Sequence, residues 1–215
     1  MLAKSISKNL LDVLVEKAEK NYQFVLIKRF MKEKENLPVE NLSAEGYQVE
    51  FSDNDYINFV VFTNSNKDIK LVYLETFKSE IGVPIPSVVG TQEIQEEAHK
   101  YEYRYEFNDH TVVKSPKILA DNAPTLEVEE EGSVTPQDKC SIHGNWCGPG
   151  CSGPSGPVDR LDECCMIHDQ CYGVYGYFTC GCDRNLLACI DSIGGIKAVL
   201  VRAYFTGQST WVCVF

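Results

Sequence analysis

The positions of the cysteine residues constrain this chain more than any other feature of its sequence. All ten cysteines lie at or after Cys140, and the preceding 139 residues contain none. Ten cysteines within the last 76 residues predict a disulfide framework, because a core of that size is marginal and cross-links restrict the unfolded chain. This step in composition predicts two domains that are stabilised in different ways.

The acidic residues are concentrated in the part without cysteines. The chain carries 20 Lys+Arg and 31 Asp+Glu, a formal net charge of −11. Residues 140–215 contain 4 basic and 6 acidic side chains, which leaves 16 against 25, or −9, for residues 1–139. Such a chain lacks the clustered Lys and Arg that bind phosphates. We therefore expect no nucleic-acid partner and no general attraction to anionic bilayers.

The disulfide framework implies an oxidising compartment, so the sequence predicts a secreted, extracellular protein. Residues 1–30 nevertheless contain no apolar core between a basic start and a small-residue cleavage site, and we recognise no signal peptide in them. The sequence therefore leaves the export route unexplained. No apolar run approaches the roughly 20 residues that span a bilayer, so we expect no transmembrane segment.

Residues 1–115 are predicted to form an α+β domain. Apolar residues recur at spacings of three and four in a helix that begins near Ser5: Leu10, Leu11, Leu14, Val15 and Ala18. Segments rich in β-branched and aromatic residues follow, separated by turn-forming residues: GYQVEF, YINFVVF, KLVYLETF, YEYRYEF and TVVK. An antiparallel sheet that packs on the helix would bury both apolar faces. This region contains no catalytic motif.

Residues 116–138 are predicted to be an acidic linker. They contain three prolines and a run of glutamates but no apolar periodicity, which is typical of an extended segment that a protease can reach. The cysteine-rich domain then occupies residues 139–215, and we expect it to be mainly α-helical.

Two cysteine pairs in this domain have the spacing of two helical turns. Cys164 and Cys171 are seven residues apart. Cys182 and Cys189 have the same separation, so each pair lies on one face of a helix. If the helices run antiparallel with these faces together, the first cysteine of each pair meets the last cysteine of the other. The sequence therefore predicts a helix pair held by two disulfides.

A histidine lies on the inward face of this helix pair. His168 follows Cys164 by four residues and precedes Cys171 by three. Asp183 follows a bridging cysteine on the second helix and brings a carboxylate within reach of one imidazole nitrogen, which leaves the other nitrogen free to act as a base. Asp169 is turned by about 100° from His168, toward a different edge of the pair.

The segment before the first of these helices is dense in glycine and proline and reads WCGPGCSGPSGPVDRLD. A loop of this kind can turn its main-chain carbonyl groups inward. Carbonyl oxygens together with a carboxylate form the hard-oxygen site that Ca²⁺ prefers. The loop and Asp169 therefore predict a calcium site, although turns in a disulfide knot would account for the loop alone.

Three motifs occur in order along the cysteine-rich region: WCGPG with GPVDRLDECC, then CCMIHDQCY, then CGCDRNLLAC. They resemble the calcium loop with its lead-in, the first-helix signature and the second helix of the secreted phospholipase A2 family. The resemblance covers about Cys140 to Phe215, and WCG and the closing AYFTGQSTWVC are most similar to the compact bee-venom type. Cys151 inside the loop, and only eight residues between Cys171 and Cys180, depart from the family pattern.

The resemblance implies a calcium-dependent hydrolase that cleaves the sn-2 ester of glycerophospholipids at a bilayer or micelle surface. His168 would take a proton from water while Asp183 holds its far nitrogen. Tyr172 and Tyr204 would orient Asp183 through hydrogen bonds.

The same resemblance implies the calcium ligands. Asp169 would bind Ca²⁺ through its carboxylate, together with main-chain oxygens of Trp146, Gly148 and Gly150. The main-chain N–H of Gly148 would help to hold the anion that forms on the ester.

It also implies four disulfides: Cys147–Cys165, Cys164–Cys189, Cys171–Cys182 and Cys180–Cys213. Cys140 and Cys151 then remain, and we pair them by elimination.

Two other functions are possible for a cysteine-rich domain of this kind. A non-catalytic phospholipase-like module or toxin would bind a membrane, receptor or partner through the scaffold alone, but such family members usually lack the histidine or the calcium-binding aspartate. A zinc or redox protein would favour two CxxC pairs with free thiolates, whereas these spacings suit bridges between helices. The first domain is interpreted as a removable pro-region that masks the active site, a targeting or carrier domain, or an immunity-like domain. The acidic linker favours the pro-region.

Overall fold

The computed structural model describes residues 2–50, 54–96, 99–108, 110–118, 127–128, 143–148, 151, 153, 155–177 and 179–212. The strands are β1 Leu2–Ser5, β2 Ser43–Glu50, β3 Tyr56–Thr63, β4 Ile69–Phe77, β5 Ile85–Glu96, β6 His99–Asn108, β7 Thr111–Ile118 and β8 Glu127–Val128. The helices are α1 Lys8–Lys20, α2 Tyr22–Glu33, α3 Arg160–Tyr175, α4 Cys180–Ile190 and α5 Ile196–Val212. Within these ranges no helix is both long enough and apolar enough to cross a bilayer.

The strands form one sheet with the order β7-β6-β5-β4-β3-β2-β1-β8. Strands β1 to β7 pair antiparallel, which confirms the predicted antiparallel sheet. At the far edge, β8 runs parallel to β1, and Leu2 pairs with Glu127. The five strand segments predicted from the sequence lie in β2, β3, β4, β6 and β7, whereas β1, β5 and β8 are not predicted.

Two parts of the sheet extend into the predicted linker. β7 continues to Ile118, three residues beyond the predicted end of the first domain. Glu127–Val128 forms β8 within the same segment. The other linker residues lie outside the described part of the chain.

Two helices, not one, cover one face of the sheet. The side chain of Ser7 caps α1 by accepting a hydrogen bond from the main-chain N–H of Leu10 at 3.3 Å. Asn21 caps α2 in the same way, accepting from the N–H of Phe24 at 3.1 Å. The first helix begins at Lys8 rather than near Ser5, because β1 pairs with β2 and the cap fixes the first helical turn.

Alternate residues of the sheet face these two helices. Leu71 and Tyr73 of β4 and Val60 of β3 form one buried cluster with Leu14 of α1 and Ile27 of α2. Side chains alternate between the faces of a strand, so the intervening residues point to the other side of the sheet.

The opposite face of the sheet packs on the cysteine-rich region. Val72 and Leu74 of β4 and Phe59 of β3 form a second buried cluster with Leu186 of α4 and Leu200 of α5. We call this contact between the sheet and the helices α3 to α5 the seam. Strand β4 is buried on both faces, which explains why KLVYLETF is nearly continuous in apolar residues and does not alternate strictly.

Helix α5, which is not predicted from the sequence, lies in the seam. The consecutive residues Ala198, Val199, Leu200 and Val201 are all buried, with at most 4% of each exposed. Four consecutive positions point to all sides of a helix. Accordingly, α5 contacts α4 as well as β4 and β5, as expected of a helix that is apolar all round.

The two faces of strand β6 carry different kinds of side chain, aromatic on one side and charged on the other. Tyr105 belongs to the cluster beneath α1 and α2, whereas Glu102 and Arg104 are buried at 2% and 0% exposure on the side of the seam. Nη2 of Arg104 donates a 2.8 Å hydrogen bond to the main-chain oxygen of Ile193. The N–H of Gly195 donates to Oε1 of Glu102 at 3.3 Å. Two buried charges thus join the sheet to the turn between α4 and α5.

Candidate active site

Three predicted disulfides are confirmed: Cys147–Cys165, Cys164–Cys189 and Cys171–Cys182. The last two join α3 to α4 and make the helices antiparallel, as the cysteine spacing predicts. Cys180 is also in a disulfide. Its predicted partner, Cys213, and the predicted partner of Cys151, Cys140, lie outside the described residues, so those two pairings stay predictions.

The carboxylate of Asp162 fixes the loop before α3 to the start of that helix. It is fully buried and accepts hydrogen bonds from the main-chain N–H groups of Asn145, Trp146 and Val158, at 2.9, 2.8 and 3.0 Å. Gly144 allows the loop to approach, because its φ is +61° and a Cβ there would lie 2.2 Å from Cγ of Asp162. The loop and the helix are therefore held in one arrangement.

Asp159 caps the same helix. Its Oδ1 accepts a hydrogen bond from the N–H of Asp162 at 3.0 Å, and its Oδ2 lies 2.7 Å from Nε2 of His143. Asp162, which positions the loop, is not predicted from the sequence. An acid three residues after a capping aspartate is the signal that could have identified it.

His168 of α3 and Asp183 of α4 face each other. Nε2 of His168 lies 2.9 Å from Oδ1 of Asp183, and the hydroxyl group of Tyr172 donates a 2.5 Å hydrogen bond to the same oxygen. None of the three residues is more than 9% exposed. The contact with Asp183 favours a proton on Nε2 and leaves Nδ1 as the basic nitrogen.

Two carboxylates act on the imidazole of His168. Burial lowers its pKa, but hydrogen bonding and charge from Asp169 and Asp183 outweigh burial, so the pKa is raised above its ordinary value. Oδ1 of Asp169 lies 3.8 Å from Nδ1 of His168. The aspartates therefore stabilise the protonated imidazole, which is the form that exists after a base has accepted a proton.

Aromatic rings enclose the imidazole. Phe205 of α5 packs edge-on against His168 with ring centroids 4.8 Å apart, and Tyr172 contacts it at 4.2 Å. Phe205 also packs edge-on against Tyr204 at 5.2 Å. Phe205 is not identified from the sequence, because it lies on a helix that is not predicted and belongs to no catalytic motif.

Tyr204 lies in the seam, beside residues of the sheet. The resemblance predicts a hydrogen bond from Tyr204 to Asp183, whereas the structure places the hydroxyl 3.5 Å from Oδ2 of Asp55. Nζ of Lys78 lies 4.0 Å from the centroid of the Tyr204 ring. Burial, reinforced by the charge of Asp55, raises the pKa of Tyr204 to about 12. Oδ2 of Asp183 is buried and has no hydrogen-bond partner among the described residues.

The predicted calcium ligands are described in part. Gly150 lies outside the described residues, while Trp146, Gly148 and Asp169 are within them. The main-chain oxygen of Gly148 accepts a 3.1 Å hydrogen bond from the N–H of Cys151, which leaves a second lone pair for another partner. The side chain of Asp169 is 26% exposed, so an ion can reach it.

The donor chemistry of these residues fits a calcium ion. No group of three or more His, Cys, Asp or Glu side chains that could hold a metal occurs in the described ranges. A site made of one carboxylate and several main-chain oxygens would not contain such a group, and these hard oxygen donors suit Ca²⁺.

A disulfide-linked helix pair, an apposed histidine and aspartate, and a glycine-rich loop together define a phospholipase A2-like region. Comparison with curated proteins confirms that this part of the chain resembles the phospholipase A2 family. A probable phospholipase A2 homolog of Oryza sativa subsp. japonica is 43% identical over 87 residues, which cover 31% of this chain and 56% of the rice protein. The A2 chain of the basic phospholipase A2 beta-bungarotoxin of Bungarus flaviceps flaviceps is 39% identical over 61 residues, covering 24% of this chain and 40% of the toxin.

A phospholipase A2 of the centipede Scolopendra dehaani is 49% identical over 39 residues, covering 18% of this chain and 25% of the centipede protein. The chain thus spans about half the length, or less, of the curated relatives it matches. No protein-family model matches the chain. No solved structure matches it significantly.

Proposed function

We propose that residues 139–215 form a calcium-dependent phospholipase A2 that hydrolyses the sn-2 ester of glycerophospholipids. The observation that carries this proposal is the 2.9 Å contact between Nε2 of His168 and Oδ1 of Asp183, which leaves Nδ1 available to remove a proton from water. The names of the rice, snake and centipede relatives support the substrate class.

Each side chain of the pair has a distinct task in this proposal. Nδ1 of His168 accepts the proton while a water molecule attacks the ester, and Asp183 stabilises the imidazolium that results. Tyr172 holds Asp183 in place through its hydrogen bond to Oδ1. Because water is the nucleophile, no covalent acyl-enzyme intermediate forms.

Asp169 and the main-chain oxygens of Trp146, Gly148 and Gly150 would hold the calcium ion. Bound there, Ca²⁺ would supply a Lewis acid for the ester carbonyl and the anion that develops on it. The N–H of Gly148 is proposed to donate a hydrogen bond to the same anion.

An exposed apolar surface adjoins the candidate active site. Val174, Tyr175 and Tyr177 are 73%, 72% and 80% exposed, and we call these three residues the apolar rim. The ring of Tyr177 contacts Tyr172 at a centroid distance of 5.4 Å, and Tyr172 in turn contacts His168. Large exposed apolar side chains beside the site support peripheral binding to a bilayer or micelle surface.

The seam bears on the role of residues 1–115. A pro-region that masks the active site would cover the apolar rim, but the rim is exposed in the intact chain. The sheet instead packs against α5, in one buried cluster with residues of α4. We therefore propose that the sheet is a permanent structural partner of the hydrolase. The disulfides of the cysteine-rich region support an extracellular, oxidising location.

Hydrolysis of phosphatidylcholine vesicles labelled in the sn-1 or the sn-2 chain tests the reaction. We expect the full chain to release the sn-2 fatty acid with millimolar calcium and to lose this activity when a chelator is added. Activity that persists with chelator, or release from sn-1, would contradict the proposal.

Substitutions separate the tasks of the two neighbouring residues. His168→Gln should abolish turnover and leave calcium binding measurable by calorimetry, because only the base is lost. Asp169→Asn should weaken calcium binding itself, since it removes the single anionic ligand. His110→Gln is the control, because His110 is exposed in the turn between β6 and β7, away from the proposed chemistry. It should retain turnover.

The alternative is a non-catalytic phospholipase-like module or toxin. This alternative is supported by the names of two relatives, of which one is called a homolog and the other is a toxin chain. The presence of His168, Asp169 and Asp183 favours catalysis. Calcium-dependent vesicle binding without fatty-acid release by the full chain would favour the alternative.

A further inference from the structure

A lysine of the sheet reaches the candidate active site. Lys78 directly follows β4, and only 5% of it is exposed. Its Nζ lies 4.0 Å from the centroid of the Tyr204 ring, on helix α5 of the cysteine-rich region. A cation over the face of an aromatic ring is attracted by the negative charge density of that face. The sheet therefore holds the Tyr204 ring through a buried charge.

A second sheet residue holds the other end of Tyr204. Oδ1 of Asp55 accepts hydrogen bonds from both the N–H and the hydroxyl group of Ser79 at 2.9 Å, which ties Asp55 to the turn after β4. Oδ2 of Asp55 lies 3.5 Å from the Tyr204 hydroxyl. Lys78 thus contacts the ring of Tyr204 and Asp55 contacts its hydroxyl, from one fixed corner of the sheet.

Tyr204 connects this corner to the histidine. Its ring packs edge-on against Phe205 at 5.2 Å, and Phe205 packs edge-on against His168 at 4.8 Å. The position of the imidazole face therefore depends on where the sheet holds Tyr204.

We propose that Lys78, supported by Asp55, is a positioning residue of the hydrolase site, acting on His168 through Tyr204 and Phe205. The inference rests on the proposed function for its kinetic consequence. It makes the sheet part of the active site, in a region where the phospholipase A2 resemblance, which begins near Cys140, supplies no residue.

The test compares Lys78→Met with Lys117→Met in the full chain. Lys117 is a matched control, because it is also 5% exposed and crosses the same seam to Asp191 at 3.5 Å, away from the catalytic pair. We expect Lys78→Met to lower kcat about 10-fold, equivalent to about 1.4 kcal/mol, with KM within twofold of wild type. Lys117→Met should keep kcat within about twofold.

A spectroscopic measurement separates this inference from the proposed function. In protein labelled with ¹⁵N-histidine, the imidazole signals of His168, assigned through His168→Gln, should move in Lys78→Met and not in Lys117→Met. This readout needs no turnover, so it tests the positioning role even if the chain hydrolyses no phospholipid.

A second variant guards against misfolding of the first. Lys78→Met combined with Asp55→Asn removes the cation together with the anion beside it, and it should show the same loss of kcat and the same shift of the His168 signals. Unchanged kcat and unchanged His168 signals in either folded Lys78 variant would overturn the inference. An equal loss of kcat in Lys117→Met would also overturn it, because any cross-seam lysine would then be equivalent.

Discussion

Arg104 of strand β6 donates a 2.8 Å hydrogen bond to the main-chain oxygen of Ile193, although the two residues are 89 positions apart in the chain. The guanidinium lies 3.6 Å from Glu102 and is completely buried. Arg104→Met should therefore destabilise the protein by about 3–5 kcal/mol, because it leaves the Glu102 carboxylate buried without its cation. Urea unfolding measures the change.

The control for this prediction is Arg29→Met, on the exposed surface of α2, which should unfold like the wild type. Replacing both members of the buried pair, with Glu102→Gln and Arg104→Met, should recover part of the loss. If Arg104→Met unfolds at the wild-type urea concentration, the pair does not stabilise the seam.

Cutting the predicted linker should leave the two parts of the protein bound to each other. The seam cluster contains apolar residues of both parts, and burial of such residues supplies most of the free energy of association. After cleavage at a site engineered between residues 129 and 137, the fragments should elute together in gel filtration. They should separate on a non-reducing denaturing gel, because residues 1–139 contain no cysteine.

An aspartate introduced into the seam should weaken the association of the two fragments, whereas an aspartate on the protein surface should not. Val72→Asp, at a position 1% exposed, should release the fragments after cleavage, whereas Val13→Asp, at a position 47% exposed on α1, should not. Fragments of the otherwise unchanged protein that elute separately would show that the seam is weak.

The apolar rim should matter for vesicles and not for dissolved substrate. Replacing Tyr175 and Tyr177 with serine removes two exposed aromatic side chains beside the active site, so activity on vesicles should fall about 10-fold. Activity on a short-chain monomeric ester should stay within twofold. Tyr22→Ser, at a position 67% exposed on α2, is the control and should leave both activities unchanged. Equal losses on both substrates would place these residues in the chemistry instead.

Stability measurements should show that Lys78 destabilises the fold. Its pKa falls from an ordinary value of 10.5 to about 8 because of burial, so between these pH values the unfolded chain binds more protons than the folded protein. The unfavourable contribution, roughly 3 kcal/mol, is fully present below pH 8 and disappears as the pH rises through this window. Lys78→Met should therefore be more stable than wild type at pH 7.

That difference should shrink when urea unfolding is repeated at pH 10. Lys8→Met, at a side chain 85% exposed, should show no such trend. A difference that is the same at pH 7 and pH 10 would contradict the burial of a charged Lys78.

The parts of the site that follow from helical spacing were predictable from the sequence. Two turns separate the cysteines of each pair, and His168 lies between one such pair, so the α3–α4 disulfides and the inward histidine need no distant contact to be inferred. Phe205, Lys78 and Asp55 could not be found in this way. Their contribution depends on which surfaces meet at the seam, and no local period encodes that.

Strand prediction is limited in the same way, because some strands depend on contacts with distant parts of the chain. Strand β5 is not predicted, because Pro86 and Gly90 are turn signals when the sequence is considered alone. In the structure Gly90 is required for close packing, since a Cβ there would lie 2.7 Å from Sδ of Met31 and 2.8 Å from Cγ2 of Ile27. From the sequence alone, a glycine that lets a helix approach a strand cannot be distinguished from a glycine in a turn. The distinction requires the position of the helix.

Strand β6 contacts two regions that are separate in the sequence, so we expect its two faces to vary with different parts of the chain. Tyr105 packs in the cluster beneath α1 and α2, whereas its neighbour Arg104 hydrogen-bonds to Ile193 in the turn between α4 and α5. Among homologous chains, substitutions at position 104 should be accompanied by changes near positions 193–195, and substitutions at position 105 by changes in α2. A lineage that exchanged the cysteine-rich region for another would have to rebuild one face of this strand and could keep the other.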